Sequence, residues 1–548
     1  MRHVELVNEL DDASNLLSSA VDRYVQACAA IPNHYEASCS TAKALLDSAL
    51  AEIPKVPAYD EKLQQAKSAL WRTRNQCPSL VPINTLPFEI LSHIFCLAWD
   101  CSLSADHRPN LVYPSILLRV CSRWRQIAFG SPKLWSHIDV RTSLAPNLSL
   151  KRAKLFAAQS NQLSLDLHIK TGLLSYKHQK TLVGFYQSVA PRVRSFELHH
   201  GDDLDPLRDS NQTWLNTLLS GAMAGTLTQV CIKSYGLQAT PAFLSAIDSE
   251  PVGHPRVRIS VAEEHLEDLL FSVTRLQLKG IYAPWTSRAY CGLVELSLEA
   301  LRGSNISLKD SELATILQAS PSLRFLHFGL GVELGREDGL ILPIQLNDLR
   351  SLHLTSYTHS SQESVLRMLY PGQAPLELVI RVSDEVRFTL PSRTWSELVN
   401  FAARSNITRL HIEQRELFKT ESFDPLRILP VIPELEVLVL DGFSLGQQCE
   451  ELLAGYDALS YLSMLLGYDR PPLHQQLRVL RLIRCTIYWN DFRHAYEIHP
   501  TERLALNRCE VDFHPSQKSD LESALKRITP VVTLHETRAT RVVSCQGY

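Results

Sequence analysis

Three hydrophobic textures follow one another along the chain. From residue 1 to about 80, Leu6, Leu10, Ala13, Leu17, Val21 and Tyr24 recur at steps of three and four, the spacing that gathers side chains on one face of an α-helix. Pro32 with Asn33 and the stretch IPKVPAY (53 to 59) punctuate the pattern, so this leader is expected to form three helices packed on a neighbour. Three uninterrupted heptads are not present, which argues against a dimerising coiled coil.

The second texture runs from Ile83 to about Val140 and opens with INTLPFEILSHIF. Pro87 suits the first helical position, where its missing N–H costs nothing, and Asn84 or Thr85 can cap the orphan amides. Ile90, Leu91, Ile94 and Phe95, with Leu86 and Leu97, leave little more than Glu89, Ser92 and His93 as a polar strip. That is more apolar surface than a small neighbouring core needs. After the polar loop DCSLSADHRPNLVYPS comes ILLRVCSRWRQIAFGSPKLWSHI, in which Leu117, Val120, Cys121, Trp124 and Ile127 fall on one helical face. Gly130 and Pro132 stop that helix, and Leu134 and Trp135 follow at once.

From about Leu163 the texture becomes short alternating strands of the form L-x-x-L-x-L, such as LVELSL from Leu293, LRFLHF from Leu323, LRSLHL from Leu349 and LRVLRL from Leu477. Eleven copies between Val193 and Leu506 recur at a mean step of about 31 residues, near the upper end of leucine-rich-repeat periods. Two copies continue into a fuller pattern in which Cys485 and Cys509 are expected to be small buried turn residues. Stretches 310–322 and 392–406 read as intervening helices. Strand plus helix, repeated, predicts an α/β leucine-rich-repeat solenoid with a curved parallel sheet. Overall the chain is expected to be α+β: a helical leader (1–80), a three-helix domain (81–140) and the solenoid (141–548).

Alternation also assigns residues to the concave face of that sheet. These are Arg275, Gln277, Glu295, Ser297, Phe325, His327, Ser351, His353, Arg409, His411, Val437, Val439 and Arg481. His327 and His353 fall at the same place in successive copies, about 5 Å apart on adjacent strands, where ordinary exposed histidines are the favoured reading over a metal-binding pair. The face is mixed in charge with a few apolar members, which suits protein recognition better than nucleic acid.

Composition narrows the classes. With 548 residues the chain exceeds one compact core. A formal charge of −3 gives no electrostatic case for nucleic acid or an anionic membrane, and no run reaches the roughly 18 to 20 apolar residues needed to span a bilayer. The 12 cysteines are scattered without a C-x-x-C pair, so they read as reduced thiols of the cytoplasm or nucleus rather than a disulfide framework or zinc cluster. Catalytic motifs are missing: there is no nucleophile elbow, H-E-x-x-H or P-loop. GLGVELG (329 to 335) misses dinucleotide spacing, and HHGDD (199 to 203) reads as a solvated turn rather than metal ligands. No catalytic residue, metal or cofactor is expected.

The ordered combination LPFEILSHIF, VCSRWRQIA and SPKLW, across residues 84 to 138, resembles an F-box. Leu86, Pro87, Ile90, Leu91, Val120, Cys121, Trp124 and Trp135 stand where that family's pattern has linker-binding residues. The whole layout resembles F-box proteins with divergent leucine-rich repeats found in mushroom-forming fungi. Two features depart from the family: the loop between the two halves is longer than in a compact F-box, and the usual acidic-leucine start of the middle helix is not evident. The resemblance implies a non-catalytic substrate adaptor of an SCF-type ubiquitin ligase, whose partners are a Skp-type linker, through it a cullin–RING scaffold, and a target protein bound by the repeats. The alternative is a ligase-independent repeat scaffold or sensor, with the F-box-like block as its N-terminal cap.

Overall fold

The computed structural model describes residues 2–35, 39–77, 79–103, 113–141, 146–170, 176–200, 209–234, 241–249, 255–301, 303–335, 343–382, 393–414, 432, 434–445, 477–489, 492–493, 501–512 and 521–540. The chain divides into two compact units, Met1–Ser131 and Pro132–Tyr548. Most of the long polar loop, residues 104–112, lies outside the described residues. Among the described residues no helix is long and apolar enough to cross a membrane.

In the first unit the leader forms helices α1 (Arg2–Tyr35), α2 (Cys39–Glu52) and α3 (Val56–Gln76). Pro54 and Pro57 sit at the start of a 3-10 turn and of α3, where a proline needs no N–H. Pro32 does not end α1, which runs on to Tyr35; so near a terminus a proline removes only one backbone hydrogen bond. The expected packing of the apolar stripe is not seen. Leu6, Leu10, Leu17 and Val21 are 62, 55, 47 and 43% exposed, and no described side chain from Val4 to Cys77 is buried.

Helix α4 (Phe88–Leu103) packs against the segment that follows the loop. Leu91, Phe95, Leu117, Ile127 and Ala128 are at most 4% exposed and form the core here. The single helix expected over 117–129 is broken at Cys121, whose φ of −158° and ψ of 172° are extended. Its thiol accepts a hydrogen bond from the Trp124 N–H at 3.4 Å, so Cys121 caps the helix Ser122–Phe129 instead of sharing a helical face with Val120.

The second unit is α/β. Among the described residues, fourteen strands form one sheet in chain order, beginning with β1 (His137–Arg141), β2 (Leu165–Lys170), β3 (Val193–His200) and β4 (Gln229–Ser234) and ending with Val531–His535. Every neighbouring pair is parallel. Parallel neighbours need a crossover each time, and helices such as Pro146–Gln159, Glu263–Phe271 and Asp310–Gln318 supply several. All eleven copies of the motif fall on strands of this sheet, and their second key positions, including Leu296, Leu326, Leu352 and Leu410, are at most 2% exposed.

The sheet also begins earlier than expected. β1 pairs with β2, and Leu134 and Trp135 just before it are 1 and 0% exposed. The domain boundary expected near 140 is therefore replaced by one after Ser131, because HIDVR is a strand of the sheet.

Several strands hand over to a turn residue with positive φ: Gly280 (83°), Gly442 (85°), Arg484 (52°), Arg508 (54°) and Glu536 (48°). At Gly442 a Cβ would stand 2.1 Å from the carbonyl oxygen of Gln414, whereas at Gly292 (φ 68°) it would meet nothing within 4 Å. Gly292→Ala should therefore cost about 1 kcal/mol, the strain of the left-handed backbone alone. Gly442→Ala should cost clearly more, about 2 to 3 kcal/mol, read as the difference in urea midpoint between the two variants.

Candidate functional site

Two surfaces carry the residues singled out by sequence. In the first unit, the 3-10 turn Pro82–Thr85 leads into Leu86 and Pro87 ahead of α4. This entry is held from the other side: Arg123 donates from Nη2 to the Leu86 carbonyl at 2.6 Å, and Trp124 donates from Nε1 to Asn84 Oδ1 at 2.9 Å. The Trp124 ring lies 4.8 Å from that of Phe95, an aromatic contact that fixes the indole. Ser92 and Ser131 hydroxyls meet at 2.7 Å.

On this scaffold the expected residues separate. Leu86 is half-buried, Pro87 is exposed, and Ile90 and Val120 are 49 and 50% exposed. Leu91 and Trp135 are fully buried, so neither offers surface. Trp135 belongs to the second unit, where its ring packs edge-on to Phe156 at 5.0 Å. Cys121 and Trp124 are half-buried and serve as cap and wedge. Sequence reasoning did not single out Ile83, Phe88, Ile116 and Phe129, which are 37 to 46% exposed; Ile94 and Leu97, part of the excess apolar surface it noted, are 37 and 48% exposed. Ile90, Ile94 and Leu97, at i, i+4 and i+7, form an apolar stripe along α4, a pattern already visible in the chain.

The second surface is the polar face of the sheet. Registers place its residues in straight rows, for example Asp139, His168, Glu197, Cys231, Gln277, Ser297, His327 and His353. Arg275, Glu295, Phe325 and Arg409 stand in the next row, and His411 and Arg481 continue the first. All the expected face residues thus lie on one side of the sheet. Many pair across strands: Arg275 with Glu295 at 3.1 Å, Lys279 with Glu299 at 3.3 Å, Arg409 with Glu377 at 3.5 Å and Arg381 with Glu413 at 2.9 Å.

His327 and His353 are direct register partners with rings 5.6 Å apart. They are half-buried rather than exposed. The ring nitrogens of His327 meet Ser297 Oγ at 3.2 Å and Thr355 Oγ1 at 2.9 Å, and His353 stacks edge-on to Phe325 at 4.9 Å. Burial pushes the His327 pKa down to about 4 despite the attraction of Glu299, and burial lowers that of His353 as well.

A denser titratable cluster lies at the start of the sheet. His168 Nδ1 and Glu197 Oε2 are 2.7 Å apart, and Glu197 also meets His199. His137, Asp139 and His168 bring one ligand atom each within 4.8 Å of one another, as do Glu197, His199 and Cys231. His199 and His200 belong to β3 rather than to a turn; the rest of HHGDD, residues 201–203, lies outside the described residues. GLGVELG spans the end of one strand (Phe325–Gly329) and a short second one (Gly331–Glu333), not a phosphate-binding turn.

No protein-family model matches the chain, and no curated protein matches it either.

The depressed pKa of His327 gives a pH test. The unfolded chain protonates this histidine near 6.5 and the folded one only near 4, so its contribution is lost as pH falls from about 6.5 toward 4. Wild type should lose more thermal stability between pH 7 and 5 than His327→Gln does, a difference of order 2 kcal/mol, in parallel melts at both pH values.

Proposed function

We propose that the chain is a non-catalytic adaptor that recruits a target protein to an SCF-type ubiquitin ligase, the first unit docking on a Skp-type linker and the sheet's polar face receiving the target. The observation that carries this reading is the exposed apolar surface of residues 83–129. Pro87, Ile90, Ile94, Leu97 and Val120 remain in solvent while Leu91, Phe95 and Ile127 satisfy the core. Free apolar side chains on a helix and its flanking turns are the material of a helix-in-groove interface, in which a few desolvated anchors carry most of the binding energy. The order LPFEIL, VCSRW, SPKLW, which resembles an F-box, supplies the identity of the partner.

Target binding by the second unit is supported by the mixed, pairwise-neutralised character of its polar face. Protein surfaces are recognised by such local patterns, whereas a nucleic-acid groove would present unpaired cationic residues. Holding a bound target near a charged conjugating enzyme raises its effective concentration without any chemistry on this chain.

A second reading, a ligase-independent repeat scaffold, is favoured by one observation: Trp135, part of the resemblance, is interior to the second unit beside β1, as a cap would be. One titration separates the two. The full chain should bind a fungal Skp-type linker with a micromolar or tighter Kd by calorimetry. The double variant Ile90→Glu/Val120→Glu, both positions being half exposed, should keep its circular dichroism and weaken binding at least about 100-fold. A well-folded wild type that binds no linker would leave the capped scaffold.

A further inference from the structure

We propose that His137, Asp139 and His168 form a binding site for a divalent transition-metal ion of the zinc class, with Glu197 as the carboxylate that orients His168. The site goes beyond the adaptor reading and does not depend on it.

Its construction follows from strand geometry. In β1, residues two apart point to the same face, so His137 and Asp139 project together. Parallel pairing then places His168 of β2 directly beside Asp139, and Glu197 of β3 directly beside His168. The outcome is a two-histidine, one-carboxylate set whose ligand atoms all lie within 4.8 Å of one another. Tetrahedral coordination at roughly 2.0 to 2.2 Å puts ligand atoms somewhat over 3 Å apart, so small side-chain rotations close the set around an ion.

Three features make this more than a crowded polar row. First, His168 Nδ1 is 2.7 Å from Glu197 Oε2. A carboxylate against one ring nitrogen fixes the orientation of the ring, as the partners of metal-bound histidines do. Second, His137 and Asp139 side chains are each only 6% exposed. Both therefore lie in a sheltered pocket of the polar face, next to the more open His168. Third, His168 and Glu197 are 32 and 29% exposed, so the set is accessible from one side. Imidazole and carboxylate together suit zinc and its first-row neighbours rather than magnesium or calcium. Three protein ligands leave a fourth position open to water or to a side chain of a bound partner.

The neighbouring triplet Glu197, His199 and Cys231 is the competing location. There Cys231 Sγ already lies 3.5 Å from Gln277 Oε1 and 3.8 Å from Glu197 Oε1. Glu197 is the shared member, which makes it the hinge of the test.

The experiment is titration of the full-length, metal-stripped chain with Co(II) followed by visible absorption, and with Zn(II) against a chromophoric chelator. We expect one equivalent bound with a micromolar or tighter Kd and a nitrogen–oxygen d–d spectrum without a thiolate charge-transfer band. Asp139→Asn, nearly isosteric, and His168→Gln should weaken binding at least 100-fold, and Glu197→Gln about 10- to 100-fold. Cys231→Ser should leave binding unchanged. Circular dichroism and a melting curve of each variant confirm folding. Binding that is absent in wild type, or unaffected by Asp139→Asn in a folded chain, overturns the proposal. So does a thiolate band, or loss of binding in Cys231→Ser, because the ion would then sit at the other triplet.

Discussion

The parallel register of the fourteen-stranded sheet is the constraint on which the second unit depends. Each strand aligns its leucine-type positions with those of the next, as Leu296, Leu326, Leu352 and Leu378 show in successive pairs. Each of these side chains is at most 1% exposed and stabilises the fold by about 2 kcal/mol relative to exposure. A slip of one residue would carry the whole apolar set of a strand to the wrong face. Register is therefore held by the sum of burial along the strand, and the backbone ladder follows.

Fixing the apolar face fixes the polar one. Side chains of a polar row stand about 4.8 Å apart from strand to strand, so each charged residue has its electrostatic neighbours chosen for it. Arg275 with Glu295 and Arg409 with Glu377 are consequences of this spacing, while Arg194 reaches Asp166 from a register shift in β3. Their cationic partners are about half exposed, so water and salt screen them and they contribute little to stability. Their effect is on the surface instead: charge is neutralised locally while donor and acceptor positions stay in place. Toward β1 the row passes from these pairs to imidazole, carboxylate and thiol, and there the same spacing assembles a coordination set.

Legibility in the sequence tracked how many independent signals each element carried. The eleven motif copies were readable because strand alternation and repeat period agree at every copy. β1 was not readable, since HIDVR has only two core-facing apolar residues, Ile138 and Val140, and directly follows a stretch that fits the preceding block. Cys121 was read as part of a helical face because periodicity cannot register a single extended residue. The stripe of α1 shows a different limit: spacing reports that apolar residues share a face, not that anything covers it, and Leu6 and Leu10 stay in solvent. Among the site residues, Ile90 and Val120 lay on surface, while Leu91 and Trp135 became core. A one-dimensional pattern marks apolar positions without saying which side of the helix the core takes.

The turn after each strand shows how one backbone demand is met by two chemistries. At Gly442 the Gln414 carbonyl oxygen occupies the space of a Cβ, so only glycine fits. One strand later, Arg484 adopts the same left-handed region at φ 52°, a conformation costing an L-residue roughly 1 to 2 kcal/mol. Its guanidinium, however, meets both carboxylate oxygens of Asp441 at 2.7 Å, and Glu413 lies 3.7 Å away. Asp441 is nearly buried, and a bidentate pair to a buried carboxylate returns more than a surface ion pair does. Arg508, also left-handed, instead donates from Nε alone to the exposed Glu536 of the following turn at 2.7 Å, where the return is smaller. Strain at the turn is thus offset in proportion to the burial of the acid it reaches, so the arginine turn is best supported beside Asp441 and weakens toward the last strand of the sheet.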